Sequence, residues 1–206
     1  MSRSFCYRCQ RVEAACFCHK VIQIDNPLPV IVLQHPDESR INKGSAIIAK
    51  LCLKNYQCWQ GEDFSDNAAL NSLIMSAADQ TAVLYPAADA LILTDYYNAM
   101  PAQKKIKQLI VIDASWRKAR KIWSLSTNLQ GLTCLKLGPE LQSNYRIRKV
   151  PAAGYLSTIE AIACSLSVFD QAADKYQPLL DLFASMIDFQ IDKMGQKTYQ
   201  KNYTDN

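Results

Sequence analysis

Along this chain the apolar residues gather into short runs that end on polar or turn-forming positions. Residues 29–33 read PVIVL and stop at Gln34, His35 and Pro36. Residues 81–84 (TAVL) stop at Tyr85 and Pro86, and residues 109–112 (LIVI) stop at Asp113. Residues 132–137 (LTCLKL) are closed by Gly138 and Pro139. Short runs bounded by such breakers predict strands buried on both faces, as in a parallel sheet.

Between these runs the period changes. From Ser45 the stretch SAIIAKLCLKNY predicts a helix, residues 61–80 are polar and irregular to helical, and residues 90–94 (ALILT) fit either state. After Asp113, Ser115 is placed to cap a helix. On that helix Trp116, Ala119, Ile122 and Trp123 share one face, while Arg117, Lys118, Arg120 and Lys121 occupy the rest. The pattern predicts tryptophans packed inward and a cationic outer face. Ser157 followed three residues later by Glu160 has the form of a capping box and opens another helix. The last strong helix covers residues 178–194. Strands alternating with helices predict an α/β fold with a mainly parallel sheet. Ligands of such sheets bind beyond the carboxyl ends of the strands. The candidate site loops are therefore 34–44, 85–89, 113–116 and 138–146.

Composition narrows the class. The chain has 206 residues, 49% of them apolar and 20% charged, which suits one core with a small appendage. No apolar run approaches the roughly 18 residues of a membrane span. The opening MSRSFCYRCQ has no apolar stretch of the kind a secretory signal needs. The expectation is a cytoplasmic protein in a reducing setting, with no membrane association and no obligatory protein partner evident. Only six glycines occur, with no G-x-G-x-x-G and no G-x-x-x-x-G-K, so the usual dinucleotide and P-loop sites are poorly supported. The net charge is +4. Its placement says more than its size: Arg117, Lys118, Arg120 and Lys121 form one cluster, Arg146, Arg148 and Lys149 a second, and Lys104, Lys105 and Lys107 a third. Each alone reads equally well as a solvated face; together, beside candidate site loops, they point to a polyanion.

Eight cysteines occur, and Cys6, Cys9, Cys16 and Cys18 lie in the stretch CYRCQRVEAACFC. Two close pairs joined by a short turn can set four thiolates around one tetrahedral ion. In a reducing compartment this spacing favours structural zinc over disulfides. Arg8, Arg11, Tyr7 and Phe17 lie within this knuckle. They can contact RNA or simply pack the knuckle onto the body. Cys52, Cys58, Cys134 and Cys164 are scattered and read as small buried hydrophobes.

The residues Asp113-Ala114-Ser115-Trp116 resemble the D-x-T/S-W signature of the DTW-domain family, whose members are tRNA-uridine aminocarboxypropyltransferases. Other stretches resemble that family's motifs in the same order: the CxxC and CxC pairs, HPDESRIN, LYPAADA, SNYRIRKVP and STIEA. Ser115 stands where the family more often has threonine, and keeps the hydroxyl. Lys43 stands where threonine is expected, beside Asn42 and Gly44.

The resemblance implies a SPOUT-like catalytic body over residues 23–206, with a mostly parallel sheet and a C-terminal knot. A zinc knuckle over residues 1–22 precedes it. It implies S-adenosylmethionine as co-substrate and tRNA as partner. The 3-amino-3-carboxypropyl group would pass to N3 of a uridine in the tRNA variable loop, releasing methylthioadenosine. Asp113 then becomes either the general base at N3 or a group that orients the cofactor. Backbone around Leu84, Tyr85 and Pro86, and around Leu137 and Pro139, would hold the adenosine. Ser115 and Trp116 complete the signature. Arg146 or Arg148, or Ser157 and Thr158 with their helix amides, would clamp the cofactor carboxylate. Tyr145 or Trp116 would stack a splayed uracil. Arg8, Arg11, Arg40, Arg117, Lys118, Lys121 and Arg148 would track phosphates. His35 reads as a catalytic or a structural histidine. Two other classes remain open: a SPOUT-type RNA methyltransferase, and a non-catalytic zinc-containing RNA-binding protein.

Overall fold

In a computed structural model, residues 4–39, 44–101, 105–148 and 155–204 are described. Arg40, the 42–43 turn, Lys104 and Lys149 lie outside them. Six strands form one sheet: β1 (Val30–Gln34), β2 (Tyr56–Gln60), β3 (Thr81–Leu84), β4 (Leu91–Ile92), β5 (Gln108–Asp113) and β6 (Thr133–Lys136), in the order β2-β1-β5-β3-β6-β4. Every pairing in the sheet is parallel.

Helices cover both faces. Side chains alternate along a strand, so odd and even positions feed different layers. In β5, Ile110 joins one core cluster with Ile31 and Leu33 of β1 and Ile122 of α5 (Trp116–Leu125). Leu109 and Val111 join the other, with Val30 and Val32, where α2 (Ala46–Cys52), α6 (Thr158–Asp170) and α7 (Ala173–Met194) pack. The remaining helices are short: α1 (Pro36–Ser39), α3 (Ala68–Ser76), α4 (Leu93–Ala99) and α8 (Gln196–Tyr199). No described helix is long and apolar enough to cross a membrane.

Three elements differ from the sequence pattern. The predicted helix from Ser45 ends at Cys52, and Tyr56 to Gln60 are β2 instead. YQCWQ is neither continuously apolar nor alternating; an edge place beside β1 makes it a strand. The ambiguous residues 90–94 split, with Leu91–Ile92 pairing with β6 and Leu93 starting α4. The last helix begins at Ala173, so Pro178 lies in its second turn and not at its start. The knuckle shares the larger core: Cys9 and Phe17 are buried in the cluster that contains Phe183, Met186 and Ile187 of α7.

Ile110 is fully buried in a central strand. Ile110→Ala should therefore destabilise the fold by about 3 kcal/mol, from lost burial and an unfilled cavity. Urea unfolding would show a lower midpoint at unchanged slope; a midpoint like wild type would contradict this packing.

Candidate functional site

Parallel pairing of β1 with β5 sets Gln34 directly beside Asp113. Both occupy the register positions that face α6, since Val30, Val32, Leu109 and Val111 on the same parity feed that side. α6 begins there with Thr158. The Asp113 carboxylate is held from two directions. Gln34 Nε2 donates to Oδ2 at 2.8 Å, and Thr158 Oγ1 donates to Oδ1 at 2.5 Å. The backbone oxygen of Asp113 accepts from His35 N at 3.0 Å. Asp113 is 7% exposed. Each carboxylate oxygen has two lone pairs, so a further acceptor position remains on each after these bonds.

A cavity of about 420 Å³ opens beside Asp113 at the carboxyl ends of β3, β5 and β6. Leu84, Tyr85, Pro86, Leu137 and Pro139 form its walls from the loops after β3 and β6. Ala114 and Trp116 enter from the turn between β5 and α5 and from the start of α5, and Tyr145, Arg148, Tyr155, Ser157 and Thr158 close it from the segment before and into α6. The size and the mostly apolar lining with a few polar groups suit a nucleoside-sized ligand. Tyr85 stacks on Trp123 with ring centroids 4.6 Å apart, and Trp116 meets Tyr155 edge-on at 4.1 Å.

Glu160 fixes the far wall. Its buried carboxylate accepts from Ser157 N and Ser143 Oγ at 2.8 Å and from Asn144 N at 2.6 Å. The capping box read from the sequence is formed, and it also ties the 143–145 loop to the helix start. Burial, the main influence on the Tyr145 phenol, pushes its pKa up.

Several candidate residues sit apart from this cavity. Arg146 pairs with Asp188 of α7 and lines a separate hollow behind the 141–146 loop, whereas Arg148 lines the cavity. Of the two arginines, Arg148 borders the cavity beside Asp113 and Arg146 does not. Ser115 occupies the N-cap position of α5 but makes no side-chain cap bond. Trp116 is not packed inward; it is 37% exposed and borders the cavity, while Ala119 and Ile122 carry the buried stripe. His35 Nδ1 accepts from Asp37 N at 3.1 Å, which leaves Nε2–H to donate to Glu62 at 2.7 Å. The ring is buried, with both nitrogens engaged within this loop region.

The cationic residues divide as well. Arg11 cannot reach phosphate from its place: it is 5% exposed, stacks over Phe17 at 4.8 Å and points Nη2 at Met186 Sδ, 2.8 Å away. Arg8 is exposed, beside the fully exposed Tyr7. Lys118 pairs with Asp37 at 3.0 Å and Lys121 with Glu62 at 2.6 Å. The Lys121–Glu62 pair is exposed at both ends and worth at most about 1 kcal/mol, whereas the Lys118 side chain is half-buried. Arg117 and Arg120 are exposed and have no carboxylate partner among the described residues.

The four knuckle sulfurs lie within 4.8 Å of one another, with Cys6 Sγ and Cys18 Sγ 3.7 Å apart. A tetrahedral zinc with bonds of about 2.3 Å needs sulfurs about 3.8 Å apart, so this donor set fits that ion. Backbone amides of Cys9 and Arg8 aim at the Cys6 sulfur and lower that thiol's pKa to about 6. Burial pushes Cys18 up. Cys52 and Cys134 are buried, and Cys58 and Cys164 partly so.

Gln34, Glu160 and Tyr155 escaped the sequence reading as site residues. Gln34 carried one signal, its place at the end of a strand, but strand register alone makes it the neighbour of Asp113.

A family model of the DTW domain matches residues 3–191. The chain is 28% identical to the tRNA-uridine aminocarboxypropyltransferase 2 of Drosophila melanogaster over 98% of its own length and 80% of that protein. It is 28% identical to the mouse protein of the same name, over 98% of this chain and 68% of that one. No solved structure matches it significantly.

Purified protein should carry one zinc per chain by metal analysis, and Cys9→Ala should lose it together with thermal stability, because Cys9 is also buried in the shared core. Full retention of metal by that variant would exclude the four-sulfur site.

Proposed function

The chain belongs to the DTW-domain family, and on that premise we propose that it is a tRNA-uridine aminocarboxypropyltransferase using S-adenosylmethionine. The observation that carries this reading is the Asp113 carboxylate, pinned by Gln34 and Thr158 at the side of a nucleoside-sized cavity. The names of the relatives supply the acceptor class, a tRNA uridine.

S-adenosylmethionine, when bound, supplies a γ-carbon activated by a sulfonium leaving group. In the transfer, the N3–Cγ bond forms as the Cγ–S bond breaks. Sulfur keeps the electron pair and leaves as methylthioadenosine, and the N3 proton is lost. The chain's own residues then have separate tasks. Leu84, Tyr85, Leu137 and Pro139 provide an apolar berth for the adenosine and thioether. Arg148 offers a forked donor to the amino-acid carboxylate. Asp113 accepts the N3 proton, or orients the amino group of the co-substrate; its two fixed hydrogen bonds suit either task because they set its direction. Positioning alone can remove several kcal/mol of barrier when reacting atoms are held in line. A knotted C-terminal arrangement of the SPOUT kind belongs to the same reading. It rests on the family resemblance, with which the parallel six-stranded sheet is compatible. Zinc in the knuckle has a structural part, because four cysteines leave no open coordination position. The exposed Arg8, Arg117 and Lys121, with the half-buried Lys118, are offered to tRNA phosphates, and a tRNA substrate supports a cytoplasmic location.

The deciding assay incubates unmodified tRNA with S-adenosylmethionine labelled in the aminocarboxypropyl carbons, followed by nucleoside mass spectrometry. Label in uridine with release of methylthioadenosine is expected. S-adenosylhomocysteine as product would make the protein a methyltransferase, and bound but unlabelled tRNA would make it a binding protein. Asp113→Asn should keep the thermal stability of wild type and lower the transfer rate by about 100-fold or more. Wild-type activity in that variant would remove Asp113 from both tasks.

A further inference from the structure

The cavity beside Asp113 measures about 420 Å³, near the low end of the roughly 300–1,000 Å³ usual for one small-molecule site. It has room for S-adenosylmethionine and none for a second nucleoside alongside it. An acceptor base therefore meets the donor at the rim. The exposed lining residues, Pro86, Trp116, Pro139 and Arg148, mark that rim.

Two aromatic residues of the lining, Tyr145 and Trp116, are candidates for stacking a base, and their surroundings differ. The Tyr145 ring meets Phe183 edge-on with centroids 5.0 Å apart, and the Arg148 guanidinium stands over it at 6.0 Å. Its surface is taken up by the protein. Trp116 is the opposite case. Its edge-on contact with Tyr155 at 4.1 Å fixes the indole, yet 37% of the residue stays exposed. A flat surface that is both held in place and open at a cavity mouth is what an unpaired base needs for stacking. The side of α5 that carries Trp116 continues the surface. Trp116, Arg120 and Trp123 fall at i, i+4 and i+7, on one side of the helix. Trp123 holds Tyr85 in a stack at 4.6 Å, and Tyr85 lines the same cavity. Arg120 acts on the Tyr85 phenol: burial, the main influence, raises its pKa, and the guanidinium opposes the rise. Arg120 is exposed and has no carboxylate partner among the described residues.

We propose that Trp116, braced by Tyr155, is the acceptor-base subsite at the cavity mouth, and that Arg120 holds a phosphate of the same unpaired stretch of RNA. The proposal rests on the transferase reading above. The uridine leaves its strand, lays one face on the indole and turns its N3 edge into the cavity, where the donor lies. Splaying the base out in this way is how enzymes reach a reacting base atom. Base and donor then share one space. Stacking tolerates any base, so this subsite sets position and leaves the choice of uridine to polar groups deeper in the cavity. The cations of α5 stand outside the mouth, where the sugar–phosphate chain of a splayed nucleotide has to run.

The test uses full-length protein and tRNA in which 5-iodouridine replaces the uridine that the labelling assay identifies, because on irradiation this base joins to an aromatic ring stacked against it. With methylthioadenosine present, peptide mass spectrometry should place the cross-link on Trp116 or Tyr155. A cross-link confined to any other residue, Tyr145 or Tyr7 for example, overturns the proposal. Trp116→Leu should raise the KM for tRNA about tenfold or more, the effect of losing one stacked base, and Trp116→Phe should restore most of it. Both variants should bind S-adenosylmethionine within about twofold of wild type by calorimetry. Unchanged KM in Trp116→Leu, or weakened S-adenosylmethionine binding with normal KM, contradicts the subsite. Arg120→Gln should reduce the slope of log affinity for tRNA against log salt by about one, and an unchanged slope removes the phosphate contact. If wild-type protein transfers no label at all, the transferase reading fails and this inference falls with it. Label in uridine with a normal KM in Trp116→Leu defeats the base subsite alone.

Discussion

The register of β1 against β5 is the constraint on which the site depends. It aligns Gln34 with Asp113 at the last rung of the ladder, and their shared parity sends both side chains toward α6. There Thr158 completes the clamp. A shift of one residue would turn Asp113 to the opposite face, among Ile110, Leu33 and Ile122 and away from Gln34 and Thr158. The near-continuous apolar character of LIVI tolerates either face, so the polar pair at the strand end helps to choose the register.

A second buried carboxylate does the complementary work. Glu160 caps its own helix and reaches across to Ser143 and Asn144, so the α6 start is tied to the loop after β6. Asp113 receives two side-chain hydrogen bonds and keeps acceptor capacity; Glu160 receives bonds from three residues and serves as scaffold. The contrast is between a carboxylate with acceptor capacity left over and one whose hydrogen bonds tie a loop to a helix start.

The knuckle is bound into this arrangement and is not a loose appendage. Phe17 and Cys9 enter the core beside α7, and Arg11 runs beneath the knuckle to Met186. Four thiolates on one zinc carry net negative charge, and a buried guanidinium next to Cys9 offsets part of it. This burial ties the four-cysteine cluster to the core of the fold.

The sequence by itself determined the strands with continuous apolar runs, the capping box at Ser157 and Glu160, and the cysteine cluster. Each of these rests on interactions between residues close in the chain, or on burial that leaves a periodic trace. It also carried the motif residues Leu84, Tyr145 and Thr158, which line one cavity although far apart in sequence. It did not reveal β2, because YQCWQ gains strand form only from its neighbour β1. Nor did it distinguish Arg146 from Arg148 or reveal that Arg11 is buried. A basic residue looks alike in sequence whether it faces Asp188, a cavity or Met186. Those choices were made by the tertiary structure, because the partners lie on elements that meet only when helices and sheet pack, and charge acts through distance in space.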